Sequence, residues 1–107
     1  MKKKQLYHKL VRDRIPKIIE ETGATFKVVQ HSPERLDSYA LKKLHEEVQE
    51  FVENPCAEEA ADILEVLEFV CRRRGIGSAA IQAQKIAKRV EKGAFDMGFI
   101  LEWVEKQ

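Results

Sequence analysis

The dipeptide Asn54-Pro55 constrains the fold of this chain more than any other feature of its sequence. From Glu34 to Glu53, before that break, apolar residues recur every three or four positions, which is the period of an amphipathic α-helix. A second stretch with the same period runs from about Cys56 to Arg74. Because proline has no backbone N–H to continue a helix, Asn54-Pro55 predicts a turn between two long helices, with Asn54 available to cap the second one.

Shorter helices are predicted on either side of this pair. One runs from Arg12 to Thr22, with Pro16 in its first turns, and the other has Ser78 as its predicted cap and reaches about Lys92. The residues between them and the long pair include an extended segment, 25–29. The predicted fold class is all-α: a helical bundle centred on an antiparallel helix hairpin, with residues 1–107 in a single domain.

Composition and charge limit the kinds of partner. The chain has 107 residues, and a core of that size is thin, so we expect a homodimer or a homotetramer. Lysine and arginine number 19 against 18 acids, so no specific nucleic-acid binding is expected. No apolar run is long enough to span a membrane, and no signal peptide follows the basic start, which favours a cytoplasmic protein. Cys56 and Cys71 lack a metal or redox spacing and are expected to be reduced packing residues.

Acidic residues occupy positions where the two long helices should be apolar. At about 100° per residue, Glu47 falls inside the apolar arc of the first long helix, between Leu36 and Ala40. Glu50 lies at the edge of that arc, and Glu46 lies on the polar side. A solvated helix face does not explain Glu47.

The second long helix repeats this pattern. Glu59 falls between Val66 and Val70, inside the apolar arc, and Asp62 lies at its border. In contrast, Glu65 and Glu68 point to the opposite, polar side. Each long helix therefore brings one acid into its apolar stripe and a second acid beside it.

An antiparallel pair would bring these acids together. If the chain folds back at residues 54 and 55, Glu50 lies level with Glu59, and Glu47 with Asp62. Four carboxylates in a half-buried space repel one another, so they need cations. A hard divalent cation such as Mg²⁺ prefers carboxylate oxygen. Lysine or arginine side chains from other helices can also neutralise the acids, and the sequence leaves both interpretations open.

Three matches carry a resemblance to a known family. They are the pair of acidic motifs Glu47-Val48-Gln49-Glu50 and Glu59-Ala60-Ala61-Asp62, the N-terminal segment from Tyr7 to Pro16, and the segment 88–95, in which Lys92 and Ala94 replace an arginine and a glycine. Together they resemble the MazG-like and phosphoribosyl-ATP pyrophosphohydrolase-like superfamily of all-α nucleotide pyrophosphohydrolases. The short gap between the two acidic motifs favours the second branch.

The resemblance implies hydrolysis of the α–β phosphoanhydride of a nucleoside triphosphate-like substrate, with Mg²⁺, or Mn²⁺, as the cofactor. The implied metal ligands are Glu47, Glu50, Glu59 and Asp62. Either Glu47 or Glu50 is the catalytic residue that orients or deprotonates the attacking water. The sequence does not decide between the two.

Basic residues are the candidates for binding the phosphates. Lysines and an arginine share one face of the last predicted helix, which is also the pattern of an ordinary solvated face. The N-terminal match adds two further cations. The candidate substrate-binding residues are Lys9, Arg12, Lys85, Lys88 and Lys92.

Two other functions remain open at this stage. One is a true phosphoribosyl-ATP pyrophosphohydrolase of histidine biosynthesis, against which the N-terminal segment argues. The other is a non-catalytic helical module that binds a nucleotide or a protein. Retention of all four acids argues against the second alternative, because buried charges without a function are readily replaced.

Overall fold

A computed structural model describes residues 3–107 of the chain. It contains four helices: α1 (Ile15–Glu21), α2 (Pro33–Glu53), α3 (Ala57–Arg73) and α4 (Ser78–Lys92). No strand occurs among the described residues, and the segment 25–29 lies in irregular structure. The predicted all-α class is therefore confirmed.

Helix α1 is shorter at its start than the sequence predicted. It begins at Ile15 and not at Arg12, and Pro16 lies in its first turn. Proline is tolerated there because the first N–H groups of a helix have no helical acceptor, whereas deeper in a helix it removes a hydrogen bond. Pro16 therefore prevents an earlier start. A turn precedes the helix, closed by the Ile15 N–H donating to the Arg12 carbonyl at 3.0 Å.

The break between α2 and α3 lies where it was predicted, but its capping differs. Asn54 ends α2, and its N–H donates to the Glu50 carbonyl. The residue that precedes α3 is Cys56, so the prediction that Asn54 caps the second helix is wrong. Pro55 separates Asn54 from α3, which places Asn54 too far from the first free N–H groups of α3. Ser78 is likewise the first residue of α4 and not its cap.

Helices α2 and α3 pack against each other. Arg73, at the end of α3, binds the carboxylate of Asp37 and the carbonyl of Pro33 at the start of α2. At the other end of the pair, acids from the second half of α2 approach acids from the first half of α3. Contacts of this kind at both ends are those of two antiparallel helices.

Little of the described chain is fully buried. Among residues 3–107, only Ala40, 1% exposed, and Glu47, 5% exposed, are buried. Large apolar side chains on α2 and α3 remain exposed; they are Leu41, Val48, Val52, Leu64 and Leu67. Cys56 and Cys71 are free thiols and half-buried. The packing of α2 on α3 thus surrounds one acidic side chain more completely than any large apolar one.

The chain divides into two compact units, one ending at Gly75 and the other spanning Ile76–Gln107. The second unit contains α4 and a tail with exposed aromatic residues such as Phe99 and Trp103. A single domain therefore stays a prediction. Within the described part of the chain, no helix combines the length and the apolar character needed to cross a bilayer.

Candidate metal centre

Three acids of the first unit converge where α2 and α3 meet near Asn54. Glu47 of α2 and Glu59 and Asp62 of α3 each place a carboxylate oxygen within 4.8 Å of the others. Glu59 and Asp62 are three residues apart and therefore share one side of their helix. The spacing along each helix determines the side on which each acid lies, and the packing of α2 on α3 brings the three acids together.

Two of these carboxylates have an oxygen without a donor. Oε2 of Glu47 and Oε2 of Glu59 are buried and accept no hydrogen bond from the described residues. A buried, unpaired carboxylate oxygen is costly, since it has lost water and gained nothing in return. Both oxygens are suited to a cation, which satisfies several carboxylates at once.

Two further acids of α2 complete the cluster. Glu46, Glu47 and Glu50 also bring carboxylate oxygens within 4.8 Å of one another. The sequence placed Glu46 on the polar side of α2, but the structure brings it into the cluster. Its Oε1 lies 3.4 Å from the ammonium group of Lys9 and 3.6 Å from that of Lys43, so these cations hold a flexible side chain against the site. Helical phase defines the direction of Cβ and not the position of a carboxylate three bonds further away.

The pKa of Glu50 is raised above its ordinary value of 4.5. The largest cause is its hydrogen bond with Glu47, followed by repulsion from the charge of Glu47 and by loss of hydration. The charges of Glu59 and Glu46 add to the shift. The neighbouring acids therefore favour the protonated form of Glu50, as expected of carboxylates that share one site.

Lys43, like Glu46, belongs to this site although the sequence did not indicate it. Its Nζ lies 3.2 Å from Oε1 of Glu47, and its side chain is only 16% exposed. The sequence feature that could have indicated Lys43 is its four-residue spacing from Glu47, at which opposite charges on one helix pair. That spacing is common on solvated surfaces. The pair became notable only because Glu47 is buried.

Arg12 and Lys9, both predicted to bind substrate, contact the acids directly. Nη2 of Arg12 lies 2.7 Å from Oδ1 of Asp62, and this hydrogen bond is the main cause of a raised pKa of the guanidinium group. Lys9 pairs with Glu46 and lies 5.5 Å from the centre of the Tyr7 ring. These are ion pairs of the kind that a purely structural role of the acids predicts. Glu59 makes no such pair in the part of the chain that the structure describes.

A cavity of about 560 Å³ lies beside the acids, between the segment 10–18 and the helix pair α2–α3. Arg12, Lys43, Glu47 and Asp62 line one part of it, and apolar side chains, among them Phe69, line another. Its volume lies in the range of small-molecule sites, and both charged and apolar side chains line it. The candidate metal centre therefore opens onto a space that suits a small ligand.

The other predicted cations belong to the second unit. Lys85, Lys88 and Lys92 lie on α4, and all three are exposed. None of them pairs with an acid among residues 3–107. Their role in substrate binding stays a prediction.

Comparisons of this chain with protein-family models, with curated proteins and with solved structures found no match.

Proposed function

We propose that this protein is a Mg²⁺-dependent pyrophosphohydrolase of nucleoside triphosphates or similar compounds, acting in the cytoplasm. One observation carries the proposal: Glu47, Glu59 and Asp62 converge within 4.8 Å, and two of their buried oxygens have no donor among the described residues. The resemblance of the acidic motifs and of the N-terminal segment to nucleotide pyrophosphohydrolases supports the same conclusion.

The donor set fits a hard dication. All the converging groups are carboxylates, without a histidine or cysteine, and carboxylate oxygen is the preferred ligand of Mg²⁺ and Mn²⁺. Glu47, Glu59 and Asp62 would hold the ion, with Glu50 beside them. Such an ion neutralises phosphate charge and lowers the pKa of a bound water.

Glu50 is the better candidate for the catalytic base. Its raised pKa makes it a stronger proton acceptor than an ordinary carboxylate. Glu47 has one oxygen fixed by Lys43 and suits the role of a ligand. As the water oxygen bonds to phosphorus, the water proton passes to Glu50, the α–β P–O bond breaks, and pyrophosphate leaves.

The cavity suits the rest of the substrate. Arg12 lines it next to Asp62 and can bind a phosphate oxygen, and the apolar side chains of Val66 and Phe69 can contact a base. Lys9 and the α4 residues Lys85, Lys88 and Lys92 are further candidates for phosphate binding. In this interpretation, the ion and the cations share the charge of the triphosphate.

The test is a Mg²⁺-dependent screen of nucleoside triphosphates in which pyrophosphate and single phosphate are separated. Glu59→Gln keeps the shape of the side chain but removes a ligand charge, so pyrophosphate release should fall at least about 100-fold. Glu68→Gln, the same change at an exposed position of α3, is the matched control and should match the native protein. Normal turnover by Glu59→Gln would rule out the metal centre.

The second candidate function is a non-catalytic helical module. The ion pairs Lys43–Glu47 and Arg12–Asp62 favour it, since they show that the chain supplies some of its own counter-ions. Absence of any product from the folded protein with every triphosphate and with phosphoribosyl-ATP would support the module. Turnover of phosphoribosyl-ATP alone would identify the histidine-biosynthesis enzyme.

We further propose that the protein is a homodimer or a homotetramer. Support comes from α2 and α3, on which Leu41, Val48, Val52 and Leu64 remain 40–65% exposed. Burial of apolar surface stabilises an assembly by about 25 cal/mol per Å². A second copy of the chain can cover these side chains. Sedimentation equilibrium tests this: the native chain should exceed the monomer mass of 12.4 kDa, and Val52→Asp should shift it toward the monomer. A monomeric native chain would contradict the proposal.

A further inference from the structure

Arg12 forms a close ion pair with a candidate metal ligand, yet it is mostly in solvent. Its Nη2 lies 2.7 Å from Oδ1 of Asp62, whereas its side chain is 57% exposed. The residue precedes α1 and is 50 positions from its partner in sequence. The pair is therefore well formed but weakly enclosed, since solvent reaches most of the guanidinium group.

Lys43 forms the contrasting pair of the cluster. It is held by its own helix, four residues from Glu47, and its side chain is 16% exposed. Removing Lys43 from the site would expose a buried carboxylate, whereas Arg12 can leave Asp62 for water or for another anion without unpacking a helix. Of the two cations, Arg12 is the one that can exchange its partner.

Arg12 holds Oδ1 of Asp62, so a divalent cation bound to the same carboxylate would lie close to the guanidinium group. They repel each other with twice the force of two single charges, and the repulsion is strongest at the short distances imposed by a shared carboxylate. The cluster holds five acids, Glu46, Glu47, Glu50, Glu59 and Asp62, and three paired cations, Lys9, Arg12 and Lys43. Five negative and three positive charges leave a formal charge of −2. Without Arg12 the formal charge would be −3, so Arg12 reduces the attraction of the cluster for a dication.

We propose that Arg12 is an exchangeable counter-ion, which a divalent cation displaces from Asp62 and which then binds a phosphate of the substrate. This rests on the proposed function, because it takes Glu47, Glu59 and Asp62 as the metal centre. The new partner is within reach, since Arg12 and Asp62 line the same cavity of about 560 Å³. Arg12 thereby couples the two ligands: the ion frees the group that binds the phosphate.

The proposal gives Arg12 two opposite effects. It weakens binding of the metal ion alone, because the ion must displace it. It strengthens binding of the substrate once the ion is present, because the freed guanidinium forms charge-assisted hydrogen bonds with phosphate oxygen. A residue that only stabilised the fold, or only oriented Asp62 as a ligand, would not weaken metal binding.

The experiment measures Mn²⁺ binding to the full-length protein without nucleotide, from the electron paramagnetic resonance signal of the free ion. Arg12→Ala should bind Mn²⁺ about tenfold more tightly than the native chain. Arg14→Ala is the charge-matched control: Arg14 lies in the same segment but pairs with no acid in the described part of the chain, so its Mn²⁺ affinity should be unchanged. At saturating Mn²⁺, Arg12→Ala should raise KM for the triphosphate several-fold.

The other outcomes separate this proposal from the proposed function. If the native chain binds Mn²⁺ and Arg12→Ala binds it equally or more weakly, the exchange is refuted and the metal centre stands. If the native chain binds no Mn²⁺, both are refuted. Arg12→Gln, which keeps a polar side chain without the charge, provides the same comparison if the alanine variant does not fold.

Discussion

The ammonium group of Lys43 lies 3.2 Å from Oε1 of Glu47, the buried acid of α2. The two residues are four positions apart, so the pair would be an ordinary surface contact on an isolated helix. Packing of α3 against α2 encloses it, and Glu47 becomes 5% exposed. Lys43 satisfies one oxygen of Glu47, whereas the other has no donor among residues 3–107. Glu47 therefore has one oxygen neutralised by Lys43 and one oxygen that can bind a ligand.

Replacement of Lys43 by methionine should destabilise the protein in the presence of a chelator. The change keeps most of the side-chain volume but leaves the buried Glu47 without its counter-ion, which should lower the free energy of unfolding by about 2–3 kcal/mol. Urea denaturation with EDTA measures the effect.

Two variants sharpen this measurement. Lys42→Met changes the neighbouring exposed lysine, which has no ion pair in the described structure, and should alter stability by less than about 0.5 kcal/mol. Combining Lys43→Met with Glu47→Gln should recover part of the loss, because the uncompensated charge is then absent. Additive losses in the double variant would show that the two groups do not interact.

Metal affinity should depend on pH through Glu50. Its pKa is raised above 4.5, mainly by the hydrogen bond with Glu47, so protons compete with the metal ion over a higher pH range than at a normal carboxylate. Mn²⁺ affinity should therefore rise as pH increases through that raised pKa and level off once Glu50 is ionised. Titrations at a series of pH values above 4.5 check this, and Glu50→Gln should remove that part of the dependence.

The raised pKa of Glu50 has the opposite effect on the stability of the metal-free protein, which it favours at low pH and not at high pH. Because the folded chain holds the Glu50 proton more tightly than the unfolded chain does, this residue favours the fold at low pH. Its contribution is lost as pH rises through the raised pKa. In Glu50→Gln, the free energy of unfolding measured with EDTA should lack this pH-dependent contribution. If it depends on pH identically in the native protein and in the variant, the pKa of Glu50 is not raised in the fold.

Arg73 should contribute modestly to stability at the far end of the helix pair. It binds Asp37 and the carbonyl of Pro33, but its side chain and that of Asp37 are 26% and 35% exposed. Arg73→Ala should lower the free energy of unfolding by about 1 kcal/mol, as expected for partly exposed hydrogen-bonded pairs. Thermal unfolding compared with Arg74→Ala, which removes an adjacent arginine without an ion pair, isolates the effect. Equal melting temperatures for the two variants would contradict it.

Enlarging Ala40 should disturb the packing of α2. Ala40 is 1% exposed, so a leucine there must displace its neighbours, at a cost of about 1–3 kcal/mol. Ala61→Leu introduces the same side chain at an exposed position of α3 and should be nearly neutral. Chemical denaturation of both variants tests whether Ala40 is closely packed against its neighbours. A higher stability of Ala40→Leu would disprove this.

The helices could be predicted from the sequence because their signals are local. Apolar periodicity located α2 and α3, and Asn54-Pro55 marked the break between them. The position of Glu47 within an apolar stripe also predicted that an acid would be buried. Each of these inferences needs only the residues of one helix or one turn.

The partners of the acids were decided by tertiary structure. Arg12 reaches Asp62 across 50 residues and Lys9 reaches Glu46 across 37, and no local pattern predicts such pairs. Glu46 joined the cluster for the same reason, since a long side chain follows the nearest cation and not the phase of its helix. The amino-acid sequence determined which helix face carries charge. Only the packing of α2 on α3, with the N-terminal segment beside them, decided which carboxylate oxygens were paired and which were left for a ligand, because pairing depends on distances between residues far apart in the chain.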